Sequence, residues 1–275
     1  MCKLLRANLD RFKRDKVYWG GMICMIAYCI MVVILQYRIM KAYDIECQLD
    51  NFLFASFMMI GIELSVVISL FVGTEYSDGT IRNKIIVGMS RRDIYLANSI
   101  TCSVGAVVSA LLTTLFVMMV GVPLFGWVGM KFSTLLLMVL IYAVAVIAYT
   151  SIYNLIAMLC SNKAYTAIIN VVLSFGLLFV SIYLQQRLSA QEMLDCASLG
   201  ANGEITYGTV ANPHYLAGTA REIHQFFFDL LPSGQGMQVV CMEVIHPYRI
   251  LLYSTILIIL CNAIGVWIFK KKDLK

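Results

Sequence analysis

Charge is what this chain has least of. Only 13% of its 275 residues are Asp, Glu, Lys or Arg, about half the share in an average soluble domain, while 60% are hydrophobic. That balance excludes an ordinary soluble enzyme, and a mean hydropathy of +0.81 excludes a disordered chain, since so much apolar surface must be buried. Proline is scarce too, at four residues, and 18 glycines show no period, which excludes collagen-like and low-complexity chains. Several chemical signatures are also missing. There is no G-x-x-x-x-G-K-[ST] phosphate loop, no HExxH, no GxSxG and no CxxC among the nine cysteines. Nucleotide binding by a phosphate loop, zinc hydrolysis and serine-hydrolase chemistry therefore have no motif to rest on, and no cofactor or nucleic-acid partner is indicated for this chain.

The charges that exist are clustered, and long uncharged runs separate them. A helix needs about 20 mostly apolar residues to cross the hydrocarbon core. Six such runs occur, placed at about 17–37, 51–74, 97–120, 135–160, 164–186 and 250–269. The third and fourth are divided by Gly121, Pro123, Gly126 and Gly129 ahead of Lys131, a cluster of turn formers. All four prolines fall outside the expected spans. The fold class expected is an all-α integral membrane protein with six transmembrane helices.

Orientation follows from the basic residues, which stay on the cytoplasmic side in short loops. Fifteen of the 21 lie in 1–16, 75–93, Lys163 and the tail 270–275, and six lie in the other segments. Both termini are expected in the cytoplasm. The first apolar run is too long for a signal peptide and carries no small-residue cleavage pattern, so it is expected to remain as a span. Cys24, Cys29, Cys102 and Cys261 lie within spans as small apolar residues, whereas Cys47, Cys196 and Cys241 lie outside, where a Cys196–Cys241 disulfide stays open.

Three segments outside the spans carry pattern. In 1–16, Leu5, Leu9 and Phe12 share a helical face opposite Lys3, Arg6, Arg11, Lys13 and Arg14, as in an interfacial helix, although a solvated basic tail has the same charge. In 73–93, Ser77 or Asp78 is a candidate cap, Ile81 and Ile85 share a face, Gly88 suits a left-handed stop, and Ser90 with Asp93 forms a capping box for the next span. A short helix there offers Arg82, Lys84 and both isoleucines to a docking partner; the plainer alternative is a loop that is basic only because it faces the cytoplasm. In 187–249, Ile223, Phe226, Phe227, Leu230 and Leu231 repeat at helical spacing up to Pro232, and Met237, Val240, Cys241, Val244 and Ile245 repeat it again. Two short interfacial or re-entrant helices are expected, as a pathway cap or as simple packing.

Glu63 is the only charged residue inside a span, which costs a few kcal/mol unless it is partnered or neutral. Its candidate partners are Asn98, Asn154, Asn170 and Asn262, and its role is either in a pathway or subunit interface or as a protonated packing residue. The three histidines, His214, His224 and His246, have no metal-ligand spacing.

The run Glu75-Tyr-Ser-Asp-Gly-Thr-Ile-Arg-Asn-Lys84, with Gly88-Met-Ser-Arg-Arg92, Leu230-Leu-Pro-Ser-Gly-Gln235 and the ending Phe269-Lys-Lys-Lys-Asp-Leu-Lys275, resembles the half-size, six-span permease subunits of bacterial type-2 ATP-binding-cassette (ABC) exporters. The resemblance implies an elbow helix at 1–16, a coupling helix at 78–88 that grips a separate ATPase, and outer helices within 220–245 that close the exit. By it, Glu75, Asp78, Gly79, Thr80, Ile81, Arg82, Lys84, Ile85, Gly88, Arg91 and Arg92 belong to the coupling segment, and Phe226, Phe227, Leu230, Pro232 and Met237 to the exit helices. It further implies an ATPase subunit carrying ATP and Mg, a second permease subunit, identical or not, a lipid setting in a bacterial cell membrane, and no catalytic site in this chain. Cargo stays open among peptides, antibiotics, lipids and ions, and segment 190–215 has no assigned counterpart. Two other classes compete: an intramembrane enzyme using Glu63 and the histidines, and a non-transporting adaptor or sensor.

Overall fold

The computed structural model describes residues 1–199 and 205–273, and side chains outside 197–206. Six helices are long and apolar enough to cross a membrane. They are α2 (Lys16–Tyr43), α3 (Phe57–Ser77), α5 (Arg91–Phe125), α6 (Phe132–Leu159), α7 (Lys163–Leu188) and α10 (Pro247–Lys271). Between or beside them lie α1 (Cys2–Lys13), α4 (Thr80–Ile86), α8 (Gly218–Leu230) and α9 (Pro232–Val240). A hairpin of β1 (Met193–Leu199) and β2 (Ile205–Ala211) pairs antiparallel with Cys196 opposite Gly208. The fold is all-α in its bundle, and the hairpin, which the sequence pattern did not announce, fills the segment 190–215. Within that segment 200–204 lie outside the described residues, as do Leu274 and Lys275 of the basic tail.

Side-chain caps open three of the helices, α2, α5 and α7. Asp15 Oδ1 accepts from Val17 N at 2.7 Å and Tyr18 N at 3.2 Å, which turns the chain from α1 into α2. Asn162 Oδ1 caps α7 in the same way, through Ala164 N at 2.8 Å. Ser90 Oγ accepts from Asp93 N at 3.1 Å and opens α5, as the capping box predicts. At the start of α4 the expectation fails: the cap is Gly79 at φ 66°, with no side chain from Ser77 or Asp78 bonded there. A left-handed residue is needed to turn the chain sharply out of α3, and glycine takes it without strain.

Several span limits differ from the apolar runs, α2 running on to Tyr43 and α5 opening at Arg91 among them, and two of the differences have a visible cause. Residues 52–56 are turns, so α3 begins at Phe57 instead of near 51. The stretch is apolar because it is buried: Phe52, Leu53, Phe54, Ala55 and Ser56 tuck into the bundle through three-residue turns such as Ala55 N to Phe52 O. Non-helical backbone is tolerated at such a place when protein surrounds it. At the other difference, α5 continues to Phe125 and takes Pro123 into its last turn, contrary to the expectation that all four prolines lie outside the spans; Pro247 likewise enters α10, at its first position. Pro123 costs one backbone bond near an end that Gly126, at φ 84°, closes within a turn.

The spans differ in depth. The apolar stretch of α3 is 67% buried and that of α6 50%, against 22% in both α7 and α10, so α3 and α6 form the centre. Gly61 of α3 permits this by meeting the Tyr149 ring of α6 at 3.1 Å from where its Cβ would stand. Helices α1 and α4, the α6–α7 turn and the end of α10 gather at one end of the bundle. The hairpin, α8 and α9 gather at the other, near the 49–56 turns, where Asp50 accepts from Gly129 N at 3.0 Å.

All nine cysteines are free, so Cys196 and Cys241 form no disulfide.

Candidate functional site

At the α4 end a single carboxylate joins four helices. Glu75, on the last turn of α3, is fully buried. Its Oε1 receives Arg11 NH1 of α1 at 2.6 Å and also Lys84 Nζ of α4. Its Oε2 accepts from Asn98 Nδ2 of α5 at 2.8 Å. Asn8 of α1 closes the ring, donating to Asn98 Oδ1 at 2.6 Å and accepting from Lys84 Nζ at 3.1 Å. Arg11 also bonds Phe71 O at 3.2 Å and stacks 3.8 Å from the Phe71 ring centre. Burial pushes the Lys84 ammonium below the ordinary lysine value, and Glu75 pulls it back upward. A buried carboxylate with this many charged donors is stable only as a complete set, because loss of one partner leaves an unpaired buried charge.

The network fixes which way α1 and α4 face. In α1 the buried stripe is Leu4, Asn8 and Phe12, with Leu5 and Leu9 only half-buried, so the apolar face expected from Leu5, Leu9 and Phe12 is rotated. Asn8 turns inward because Asn98 and Lys84 satisfy it, and Phe12 follows into the space above Gly105, where any Cβ would overlap the ring. In α4, Ile81 is 2% exposed and Ile85 half-buried, so both point into the bundle and not toward a partner. The outward face is Arg82, Asn83, Ile86 and Val87, the last two each 77% exposed. Thr80 is half-buried, Asp78, Gly88 and Arg92 are exposed, and Gly88 sits at φ 90° as expected of a stop. Arg91 turns the other way: its guanidinium takes the carbonyls of Phe269, at 3.2 Å, and Lys272, capping the end of α10. Lys272 in turn reaches Tyr76 Oη at 3.1 Å and Met158 O at 3.0 Å.

Glu63 stands apart. It is 9% exposed on α3, and neither carboxylate oxygen has a hydrogen-bond partner. Gly21 of α2 lies so close that a Cβ there would sit 3.2 Å from Oε1. None of the expected asparagines reaches it. Asn98 serves Glu75, Asn170 donates to Ser69 Oγ at 2.8 Å, Asn262 donates to Ser151 Oγ at 3.1 Å, and buried Asn154 has no partner at either amide atom. The histidines do not reach it either: His214 meets Arg187, His224 meets Ala220 O, and His246 meets Asp229.

At the opposite end, α9 is built into the bundle. Pro232, Ser233, Gly234, Gln235 and Gly236 are all buried, and Gly236 lies against the Phe57 ring with no room for a Cβ. Ser181 Oγ bonds Ser233 Oγ at 2.5 Å, and Ser254 Oγ donates to Gln235 Oε1 at 2.6 Å. The helix ends at Val240, so Cys241, Val244 and Ile245 do not continue it, and the expected second helix is shifted toward Pro232. Proline suits that first position, where its missing N–H is not needed. Met237 and Leu230 are half-buried, while Phe226 and Phe227 of α8 are exposed. Asp229 is the residue the sequence pattern hides: it is 2% exposed and accepts from Gln225 Nε2 at 2.7 Å and Gln238 Nε2 at 2.9 Å, so its charge turns inward beside buried Phe228. Arg11 and Asn8 escape notice for a similar reason, since a basic helix gives no sign of which cation will be drawn inward.

A family model described as ABC-2 family transporter protein matches residues 4–180, from α1 into α7. No curated protein matches the chain.

Proposed function

The chain belongs to the ABC-2 transporter family and is a multi-pass membrane transport subunit; from that premise we propose that it is the permease of an ABC exporter, driven by a separate ATPase subunit that carries ATP and Mg. In this reading α4 is the coupling helix, α1 the elbow helix, and the α4 end is cytoplasmic, where 14 basic residues gather among the described residues. Two permease subunits pair with two ATPases, and the cargo is amphipathic or hydrophobic: a peptide, an antibiotic or a lipid.

The observation that carries the proposal is the pairing of Glu75 with both Arg11 and Lys84. It ties a seven-residue helix rigidly to α1, α3 and α5, while Arg82, Ile86 and Val87 stay bare on its far side. A rigid, exposed apolar pair beside a cation is what a protein partner grips. A push on α4 then reaches three helices through one buried cluster.

The test is copurification. The tagged protein, expressed with candidate ATPases and reconstituted in lipid, is expected to bring down an ATPase whose hydrolysis cargo stimulates. Ile86→Asp with Val87→Asp should abolish capture, and Arg82→Glu should weaken it, with membrane insertion intact. Full capture by both variants would remove α4 from the coupling role.

A further inference from the structure

Outside the residues that the family model matches, α8 and the start of α10 enclose a cavity of about 570 Å³. Its lining includes Arg221, Gln225 and Phe226 of α8, His246, and Arg249 and Tyr253 of α10. Among the described residues neither guanidinium has an ion-pair or hydrogen-bond partner. The two carboxylates in the lining do not answer them. Asp229 is buried and faces Gln225, Gln238 and His246, the last at 3.4 Å. Glu222 is exposed at the rim, so two open guanidiniums face one open carboxylate.

The depth of the cavity matters as much as its charge. Arg249 is the third residue of α10, in the first turn of a helix whose apolar stretch is 22% buried in the protein. That places the guanidinium at the boundary where a span leaves the hydrocarbon. Beside it, α8 shows an apolar face of Ile223, Phe226 and Phe227, exposed at 51%, 45% and 48%. Phe226 packs edge-on against Tyr253 at 5.7 Å between ring centres, so the apolar face runs without a break into the cavity wall. Cations at headgroup depth next to apolar surface form an amphipathic receptor, because a phosphate and its acyl chains are joined at the same spacing.

We propose that this cavity holds the phosphodiester headgroup of a phospholipid from the leaflet at the hairpin end, with Arg221 and Arg249 on the phosphate and the acyl chains along Ile223, Phe226 and Phe227. The inference rests on the six spans and not on coupling to an ATPase. Arginine suits the task, since its planar fork contacts two phosphate oxygens at once. The bound lipid would brace α8 against α10.

The experiment uses the full chain, delipidated in a neutral detergent, with thermal unfolding followed as ligands are added. Phosphatidylglycerol is expected to raise the unfolding midpoint, whereas diacylglycerol, which lacks phosphate, and inorganic phosphate, which lacks chains, should not. Arg221→Gln and Arg249→Gln should each weaken the lipid titration by roughly fivefold. Both side chains are at least partly exposed, so the variants are expected to fold. The proposal fails if diacylglycerol stabilises as well as phosphatidylglycerol, if the double variant keeps the full lipid response, or if inorganic phosphate alone gives the whole shift, which would mark a site for a soluble anion. The lipid comparison in the unaltered protein decides the matter even should a variant misfold.

Discussion

Asn98 of α5 donates to Glu75 of α3 at 2.8 Å while accepting from Asn8 of α1 at 2.6 Å, so one amide links the carboxylate to a helix that Glu75 also holds through Arg11. Arg11, Lys84 and Asn98 all donate to the same charge. Glu75→Gln therefore leaves Arg11 and Lys84 facing each other without an anion. The expected loss is about 3–5 kcal/mol, seen as a large fall in the thermal midpoint of the detergent-purified protein. Adding Lys84→Met should recover part of it by removing the stranded cation. An unchanged midpoint in Glu75→Gln would mean that the carboxylate is dispensable to the fold.

Phe12 and Gly105 make the same junction on the apolar side. The ring occupies the place of the missing Cβ, and it also packs on Tyr18 at 4.6 Å and Phe71 at 4.9 Å between ring centres. Gly105→Ala should push α1 off α5, and Phe12→Ala should open a cavity. The two effects are expected to be strongly non-additive, with a coupling of about 1–3 kcal/mol in a double-mutant cycle. Independent losses would show that the contact does not seat α1.

Much of this architecture is legible in the sequence, for reasons that particular residues make plain. The spans announce themselves because a lipid-crossing helix must be long and uncharged. The Glu75-to-Lys84 run and the Gly88 stop locate α4 to within two residues, since glycine at positive φ has few substitutes. What a span run does not reveal is which way a helix turns about its axis. Ile81 and Ile86 are equally apolar, yet one is buried and the other 77% exposed, and only the ion pair of Lys84 with Glu75 decides the rotation. The same limit hid the partners of Asn98, which are set by helix packing across 23 residues or more of chain. Residues 52–56 misled for another reason: burial makes a turn as apolar as a span.

Glycines separate tight junctions from open ones. Gly236 of α9 abuts the Phe57 ring, while Gly176 of α7 has nothing within 4 Å of its Cβ position. Gly236→Ala should destabilise by about 1–3 kcal/mol through overpacking, lifting α9 from its seat. Gly176→Ala should stabilise by about 0.5–1 kcal/mol, as glycine in a helix interior costs backbone entropy. Thermal midpoints moving in opposite directions are expected. Equal, small shifts would show that α9 is not held by this contact.

Glu63 poses the opposite problem to Glu75, because it is buried with no charged donor, with neither oxygen in a formed hydrogen bond and with only the Ser109 hydroxyl close by. Both oxygens lack partners, and Gly21 closes the space beside them. A polar group left unsatisfied in this way costs about 1–3 kcal/mol. Replacing it with methionine, of similar length and no polar atom, is therefore expected to raise the thermal midpoint. Glutamine should gain less, since its amide stays unpaired in the same place. Gly21→Ala should lower the midpoint by crowding the carboxylate. If Glu63 serves the pathway, the methionine variant is expected to be more stable yet poorer in transport. A fall in its midpoint would show instead that Glu63 binds something in the folded bundle. Greater stability with full transport would make it a packing residue and nothing more.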